Sequence, residues 1–349
     1  MPHAAPTPPE RRFGSGGPTL AEVGEGALLE RLIAIARELA PGRGDGAASG
    51  DDAAVWTPPG GRDLAVSVDA LVEDVDFRRG WISPRQLGRR AFAVAVSDLA
   101  GTGAAPLHCV STLCASPREQ LEDVLEVQRG LCEAAAAAGC DVVGGDVSAI
   151  DGPLVIDVCV IGAVPRGLAL RRAAGRPGDI LITTGVLGRA AAGLRLLLAA
   201  EEVTGGAERS WVNAQLDPPT RLDEGRHLLE RGVLCAGDLS DGLLVDARRV
   251  ADASGCAVEL WAASLPVDDE LRARFGPEWL ELAAGGGEDF ELLAAVAEGA
   301  VEGLLAGWPA GLAPPSIVGR LGEGSGVRVL DHRGGTPISP PATWARHFA

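Results

Sequence analysis

Six short acidic clusters, most of them beside glycines, are the residues in this sequence best suited to chemistry. They are Gly50-Asp51-Asp52, Ser67-Val68-Asp69, Ser97-Asp98, Gly144-Gly145-Asp146, Asp238-Leu239-Ser240-Asp241-Gly242 and Gly286-Gly287-Glu288-Asp289. Taken singly, each has an ordinary explanation. An Asp next to a Gly is commonly a turn residue, and Asp241 is equally well placed to cap the apolar helix that follows it. As a set they say more. Hard carboxylates on turns suit magnesium, which takes oxygen ligands and completes its shell with water and substrate phosphates. Glycines let the backbone approach phosphate oxygens closely.

The basic residues narrow this chemistry. All 31 are Arg; the chain contains no Lys. A Walker-A loop, a protein-kinase strand Lys and Schiff-base catalysis are therefore excluded. Any phosphate bound here must be neutralised by metal ions and Arg. The net charge of −17 argues against nucleic acid as a partner. So do the scarcity of aromatics and the absence of Tyr, which leave no base-stacking platform. The five His residues form no ligand spacing, which counts against a zinc enzyme. The seven cysteines show no CxxC and no pairing with His. They read as small core residues in a reducing cytoplasm. No apolar run approaches the ~18 residues of a membrane span.

The elements that must position the acids are partly legible. Residues 1–18 are rich in Pro and Gly and read as a disordered tail, and Leu28–Leu39 has helical spacing. Leu64–Val68 is a β-type run ending at Asp69. Ser116-Pro117-Arg118-Glu119 has the pattern of a capping box and predicts a helix from there to Gly139. Leu154–Val164 predicts a buried strand, and Pro165–Gly178 a loop. Beyond it the pattern predicts strand Ile180–Thr184 and helices Gly188–Ala200, Arg221–Arg231 and Leu243–Ala253. It also predicts strands near Val258–Trp261, Leu292–Val296 and Val327–Leu330. Phe92–Leu99 stays ambiguous, alternating like a strand yet rich in Ala. Strands and helices mix in both halves, which predicts two α+β domains, 19–165 and 166–349.

In this order and spacing the motifs resemble thiamine-monophosphate kinase, of the aminoimidazole-ribonucleotide synthetase superfamily. The match rests on Ser49–Ala54, Ser67–Glu73, Ser97–Ala104, Gly144–Asp146, Asp238–Leu243 and Gly287–Leu292. The resemblance implies an N-terminal α/β domain that makes a homodimer through its sheet, a C-terminal α+β domain, and a cleft between them. It implies that Asp52, Ser67, Val68 (through its backbone), Asp69, Asp98, Asp146, Asp238 and Asp241 hold magnesium. Gly145, Asp146, Arg172 and Ser240 would meet ATP, while Asp76, Glu288 and Trp344 would meet thiamine monophosphate. The implied reaction carries the γ-phosphoryl of ATP onto thiamine monophosphate in the cytoplasm.

Departures from the family pattern fall mainly on the acceptor side. Val72-Glu73-Asp74-Val75-Asp76-Phe77 places Asp76 where the family has His. Val68 replaces a Thr, Ala95 replaces an Asn, and the C-terminal motif is blurred to Thr343-Trp344-Ala345-Arg346-His347-Phe348. A selenophosphate synthetase would carry a reactive Cys in an N-terminal loop, but the first Cys is Cys109. A hydrogenase-maturation dehydratase would end in Cys, but none follows Cys256. Purine-pathway members, a kinase for another small phosphate and a non-catalytic nucleotide-binding relative remain as alternatives.

Overall fold

The computed structural model describes residues 54–56 and 61–343. The expected tail, the Leu28–Leu39 helix, Asp52 and Trp344 lie outside the described residues. The described part is an α+β structure built on two sheets within one compact unit.

The first sheet contains β1 (Ala54–Trp56), β2 (Arg62–Val72), β3 (Ala105–Ala115), β4 (Asp141–Ala149) and β5 (Val155–Pro165), in the order β1-β2-β5-β3-β4. All neighbours are antiparallel except β3 and β4. Helices α1 (Pro84–Thr102) and α2 (Leu121–Ala137) cover one face. The other face is open, and along it runs the row Val68–Cys159–Val110. Val68 is 58% exposed and Val110 37%. Strand β5 was expected to be buried; it alternates from Val155 to Ile161, with Ile156, Val158 and Val160 turned to the helices, and is buried without a break only over residues 162–164.

The second sheet contains β6 (Ile180–Thr184), β7 (Cys235–Leu239), β8 (Ala257–Trp261), β9 (Glu291–Val296), β10 (Pro315–Gly322), β11 (Gly326–Leu330) and β12 (Pro337–Ile338). Its order is β12-β11-β8-β10-β6-β9-β7, with β11 and β8 its parallel pair. Around it lie α3 (Arg189–Ala199), α4 (Gly206–Leu216), α5 (Leu222–Glu230), α6 (Leu243–Ser254), α7 (Asp269–Phe275) and α8 (Glu298–Ala306). Strand β7 is buried throughout and was not foreseen; the sequence places Asp238 in a glycine-rich turn, and the structure places it inside a core strand.

The ambiguous Phe92–Leu99 belongs to α1. Ser83 caps the helix, accepting from Gln86 N at 3.3 Å; Pro84 occupies the first turn and Gly103 closes the end at φ 71°. The segment alternates like a strand because the helix is apolar on nearly every side. It packs on β2 and β5 and also on β7 and α5, and a helix enclosed that way carries no polar stripe.

The expected capping box at Ser116–Glu119 does not form. Its residues make a turn in which Glu119 N donates to Ser116 O at 2.9 Å, and α2 starts only at Leu121. The Glu119 carboxylate, instead of capping, pairs with Arg79 at 2.7 Å. The cysteines are less uniformly internal than their apolar surroundings suggest. Cys109, Cys140, Cys235 and Cys256 are buried, Cys114 and Cys159 are half-buried, and Cys132 is exposed.

Helices α1 and α2 cross at two glycines. A Cβ on Gly88 would stand 1.9 Å from Val127 O, and one on Gly130 would stand 1.8 Å from Arg85 O. A methyl group there must push two backbones apart. Gly88→Ala is expected to cost about 1–3 kcal/mol, the usual penalty for overpacking, despite the gain in helix propensity. A lower urea midpoint checks this.

Candidate active site

Helix α1 reaches both sheets from a single turn. Adjacent residues on a helix point about 100° apart, so Ser97 and Asp98 face different partners. Ser97 Oγ donates to Asp238 Oδ2 at 2.7 Å, on β7. Asp98 accepts from Ser67 Oγ, on β2. The two sheets are thereby joined through acidic residues.

The charges here are crowded. Asp69 follows Ser67 on the same face of β2 and lies within electrostatic reach of Asp238, Asp76 and Glu288; burial first and these neighbours second push its carboxyl up to about 7. Asp98 is raised well above the usual range by burial and by Asp238 and Asp69. Burial also raises Asp238, against the opposing pull of Arg172, whose Nη2 is 3.7 Å from Asp238 Oδ1. That oxygen is buried and has no hydrogen-bond partner. On α6, Asp246 is buried and raised to about 8, with Asp238 as its main charged cause after burial. Its Oδ2 accepts from Asp241 N at 3.0 Å, and Arg249 bridges Asp241 and Asp246.

Carboxylates held together at this cost are a site for cations. The oxygen-only donor set and the orphaned Asp238 Oδ1 fit magnesium. Among the described residues, no three His, Cys, Asp or Glu side chains converge closely enough to hold a metal by themselves. Magnesium would therefore complete its shell with water and phosphate oxygens.

On the far side of the cluster the chain from Gly286 to Phe290 is pinned against β7. Glu288 N donates to Ser240 O at 2.7 Å and Phe290 N to Leu239 O at 3.0 Å. Glu288 and Phe290 take φ of 66° and 48°, strained values for side-chain-bearing residues. Between them Asp289 caps α3, accepting from Gly188 N at 2.7 Å and Ala190 N at 3.2 Å. Glu288 is gripped by Arg90 Nη2 at 2.5 Å and by Gln215 Nε2.

Ser67, Asp69, Asp98, Asp238, Asp241, Arg172, Ser240 and Glu288 thus come together or adjoin one another. Val68, Asp76, Gly145 and Asp146 have different surroundings. The Val68 side chain points to the open face of the sheet. Asp76 stays within reach of Asp69, but its Oδ2 accepts from Val72 N at 2.8 Å and closes the turn after β2. Gly145 and Asp146 lie on the exposed edge strand β4, where a turn was expected. Gly145 shares a register row with Ser111, Val158 and Asp69, but Asp146 shares the next row, with Thr112, Asp157 and Ala70, on the opposite face. The alternation of β4 therefore keeps its carboxylate apart from the cluster.

Arg90, Gln215, Asp246 and Arg249 were not anticipated. Arg90 stands two helical turns before Ser97 on α1, a spacing that becomes visible only once that segment is read as a helix. Asp246 sits within the apolar stripe Leu243, Ala247 and Val250, an anomaly the sequence does display.

Comparison with known proteins identifies the family. The models of the AIR synthase related protein N-terminal and C-terminal domains match residues 50–164 and 176–332. Thiamine-monophosphate kinase of Bacillus subtilis is 34% identical over 251 residues, covering 71% of this chain and 76% of that one. The enzyme of Mycobacterium tuberculosis is 32% identical over 297 residues, covering 82% and 85%. The chain belongs to the thiamine-monophosphate kinase family. A solved member of the family, described as AaThiL complexed with AMPPCP and TMP, superimposes with a TM-score of 0.81 at 29% identity, covering 94% of this chain and 98% of that one. Family membership accounts for the order of the acidic motifs, and the described structure brings Ser67 and Asp69, Asp98, Asp238 and Asp241, and Glu288 near one another.

Proposed function

We propose that this protein transfers the γ-phosphoryl group of ATP to thiamine monophosphate, giving thiamine diphosphate. The observation that carries the reading is the meeting of Asp69, Asp98 and Asp238, from three different elements, beside Arg172 and Glu288 in a chain of this family. Among the described residues, those before and after residue 165 would form the two halves of the cleft.

Asp69, Asp98 and Asp238, with Ser67, Asp241 and Asp52 (outside the described residues), would hold magnesium. The bound ions supply positive charge between two polyanionic substrates and at the in-line transition state. Arg172, beside Asp238, supplies a guanidinium for a phosphate oxygen, the role Lys fills in other kinases. The backbone at Ser240 and Gly145 would serve the nucleotide, whereas Asp146, turned to the other face of its strand, is left out of this reading. Glu288 faces the acceptor. The acceptor phosphate is already anionic near neutral pH, its second pKa being about 6, so no side chain need remove a proton. Asp76, committed to its turn, contributes negative charge at the acceptor end rather than the family's imidazole.

The open face of the first sheet, with Val68, Val110, Cys159 and Ile161, is a surface for a second copy, giving a homodimer. Seven free thiols suit a reducing cytoplasm. No described helix is long and apolar enough to cross a membrane.

The test is formation of thiamine diphosphate from ATP and thiamine monophosphate with magnesium present. Turnover is expected, should vanish on adding EDTA, and should return with excess magnesium. Binding of magnesium-ATP without product would reject thiamine monophosphate as acceptor.

A further inference from the structure

Glu288 is held more elaborately than an acidic surface residue requires. It projects from a left-handed backbone, and its carboxylate is gripped from behind by two side chains of other elements. Arg90, on α1, is 1% exposed, whereas the Glu288 side chain is 31% exposed. Gln215, at the end of α4, is 4% exposed. Arg90 spans the group: one nitrogen donates to Glu288 Oε1 at 2.5 Å, another to the backbone oxygen of Gln215. The Gln215 amide then donates to the second carboxylate oxygen of Glu288. Both oxygens are engaged from the protein side while the group stays partly open.

This arrangement is poorly explained by stability. Arg90 Nε and Gln215 Oε1 are buried without a partner, and each such atom weakens the fold. A buried ion pair is itself weak evidence for stabilisation. What the arrangement does provide is orientation, because a fork of guanidinium nitrogens permits one carboxylate geometry where an ammonium permits many.

We propose that Arg90 and Gln215 are positioning residues for the phosphoryl acceptor, acting through Glu288. They fix its carboxylate at the acceptor end of the cleft, within electrostatic reach of Asp69, and Arg90 offsets its charge so that the acid adds less repulsion to the aspartate cluster. The proposal rests on the reading of Glu288 as an acceptor-side residue. It makes acceptor binding depend on a helix whose other end carries Ser97 and Asp98, so a single rigid element sets both the metal-side and the acceptor-side geometry.

The test is a double-mutant cycle read in steady-state kinetics with Arg90→Lys, Glu288→Gln and the double variant, together with Gln215→Met. Arg90→Lys keeps the charge and loses the fork. It is expected to raise the KM for thiamine monophosphate about tenfold to a hundredfold, the equivalent of losing a hydrogen bond to a charged group, with the KM for ATP unchanged. In the Glu288→Gln background the same change should add little, because the partner it orients has gone. Gln215→Met is expected to move the same KM in the same direction, and it decides the matter if Arg90→Lys fails to fold. Multiplicative effects in the cycle, or equal rises in both KM values, would overturn the proposal. An inactive wild-type protein would instead reject the proposed reaction, and the acceptor role of Glu288 with it.

Discussion

Asp69→Asn should all but abolish turnover while leaving nucleotide binding largely in place. The substitution keeps the size of the side chain and removes one negative charge from the cluster of Asp69, Asp98 and Asp238. If those carboxylates hold magnesium against the transferring phosphoryl group, the loss falls mainly on the transition state, where charge is redistributed. Removing one preorganised electrostatic contact typically costs about 10²–10³-fold in kcat, and a comparable loss is expected here. In the proposed arrangement ATP would retain contacts from Arg172 and the backbone near Ser240, so its affinity should fall much less. Calorimetric titration of magnesium-ATP beside the kinetic assay separates the two quantities. Equal losses in affinity and in kcat would show that Asp69 serves nucleotide binding as much as the transition state, and would overturn this prediction. In the absence of metal the variant should melt at a higher temperature than the wild type, because one of several mutually repelling acids has gone. Added magnesium should then stabilise it less than it stabilises the wild type.

Arg221→Met is expected to be the most damaging single change to the fold. Arg221 Nε and Nη2 each donate to the Glu291 carboxylate at 2.6 Å. Glu291 also accepts from Thr184 Oγ1 at 2.6 Å, and that hydroxyl accepts from Leu292 N at 2.9 Å. A second carboxylate, Glu224, lies 3.6 Å from Arg221 Nη1. Glu291 and Glu224 are 3% and 4% exposed, so neither has water to fall back on. Removing one partner of a buried ion pair costs about 3–5 kcal/mol, because the remaining charge is stranded. The urea midpoint should fall accordingly. Adding Glu291→Gln to the variant should recover part of the loss, since a neutral amide tolerates burial better. A full loss in the double variant would show that Arg221 acts through packing rather than charge.

Glu291 belongs to the same short motif as Glu288 and Asp289, yet the three carboxylates serve three ends. Glu288 stays partly exposed beside the aspartate cluster, Asp289 caps α3, and Glu291 neutralises Arg221 in the core. The motif compresses site and scaffold into four residues, and mutations in it will not separate the two unless the residue is chosen from the structure.

Much of the site could be read from residue types. The absence of Lys, together with acids set in six ordered clusters, points to metal-assisted handling of phosphate, and the motif order points to the family. Four of the seven strands and three of the six α-helices described in the second half also follow from periodicity, because their apolar residues repeat at intervals that suit one kind of element. The signal fails at two elements beside the site. Helix α1 is buried on nearly every side and shows no polar stripe, and strand β7 carries Gly237-Asp238, a pair that reads as a turn. They are also the elements that bring Ser97, Asp98 and Asp238 together. The capping pattern at Ser116 fails for a different reason: its Glu finds a stronger partner in Arg79, forty residues distant in sequence, and local preference gives way to that charge.

The sequence alone therefore determined which chemistry was available: oxygen ligands, Arg as the only fixed cation, and a family's order of motifs. Tertiary structure decided which of those residues meet. It joined Asp98 on α1 to Ser67 on β2, and Ser97 on α1 to Asp238 on β7. It turned Asp146 to the other face of its sheet, and it placed Arg90 and Gln215 behind Glu288. The physical reason is that proximity between residues 31 to 198 positions apart depends on how helices and sheets pack. Strand alternation and helix rotation then set the direction of each side chain, and a single-residue change of register would reverse it.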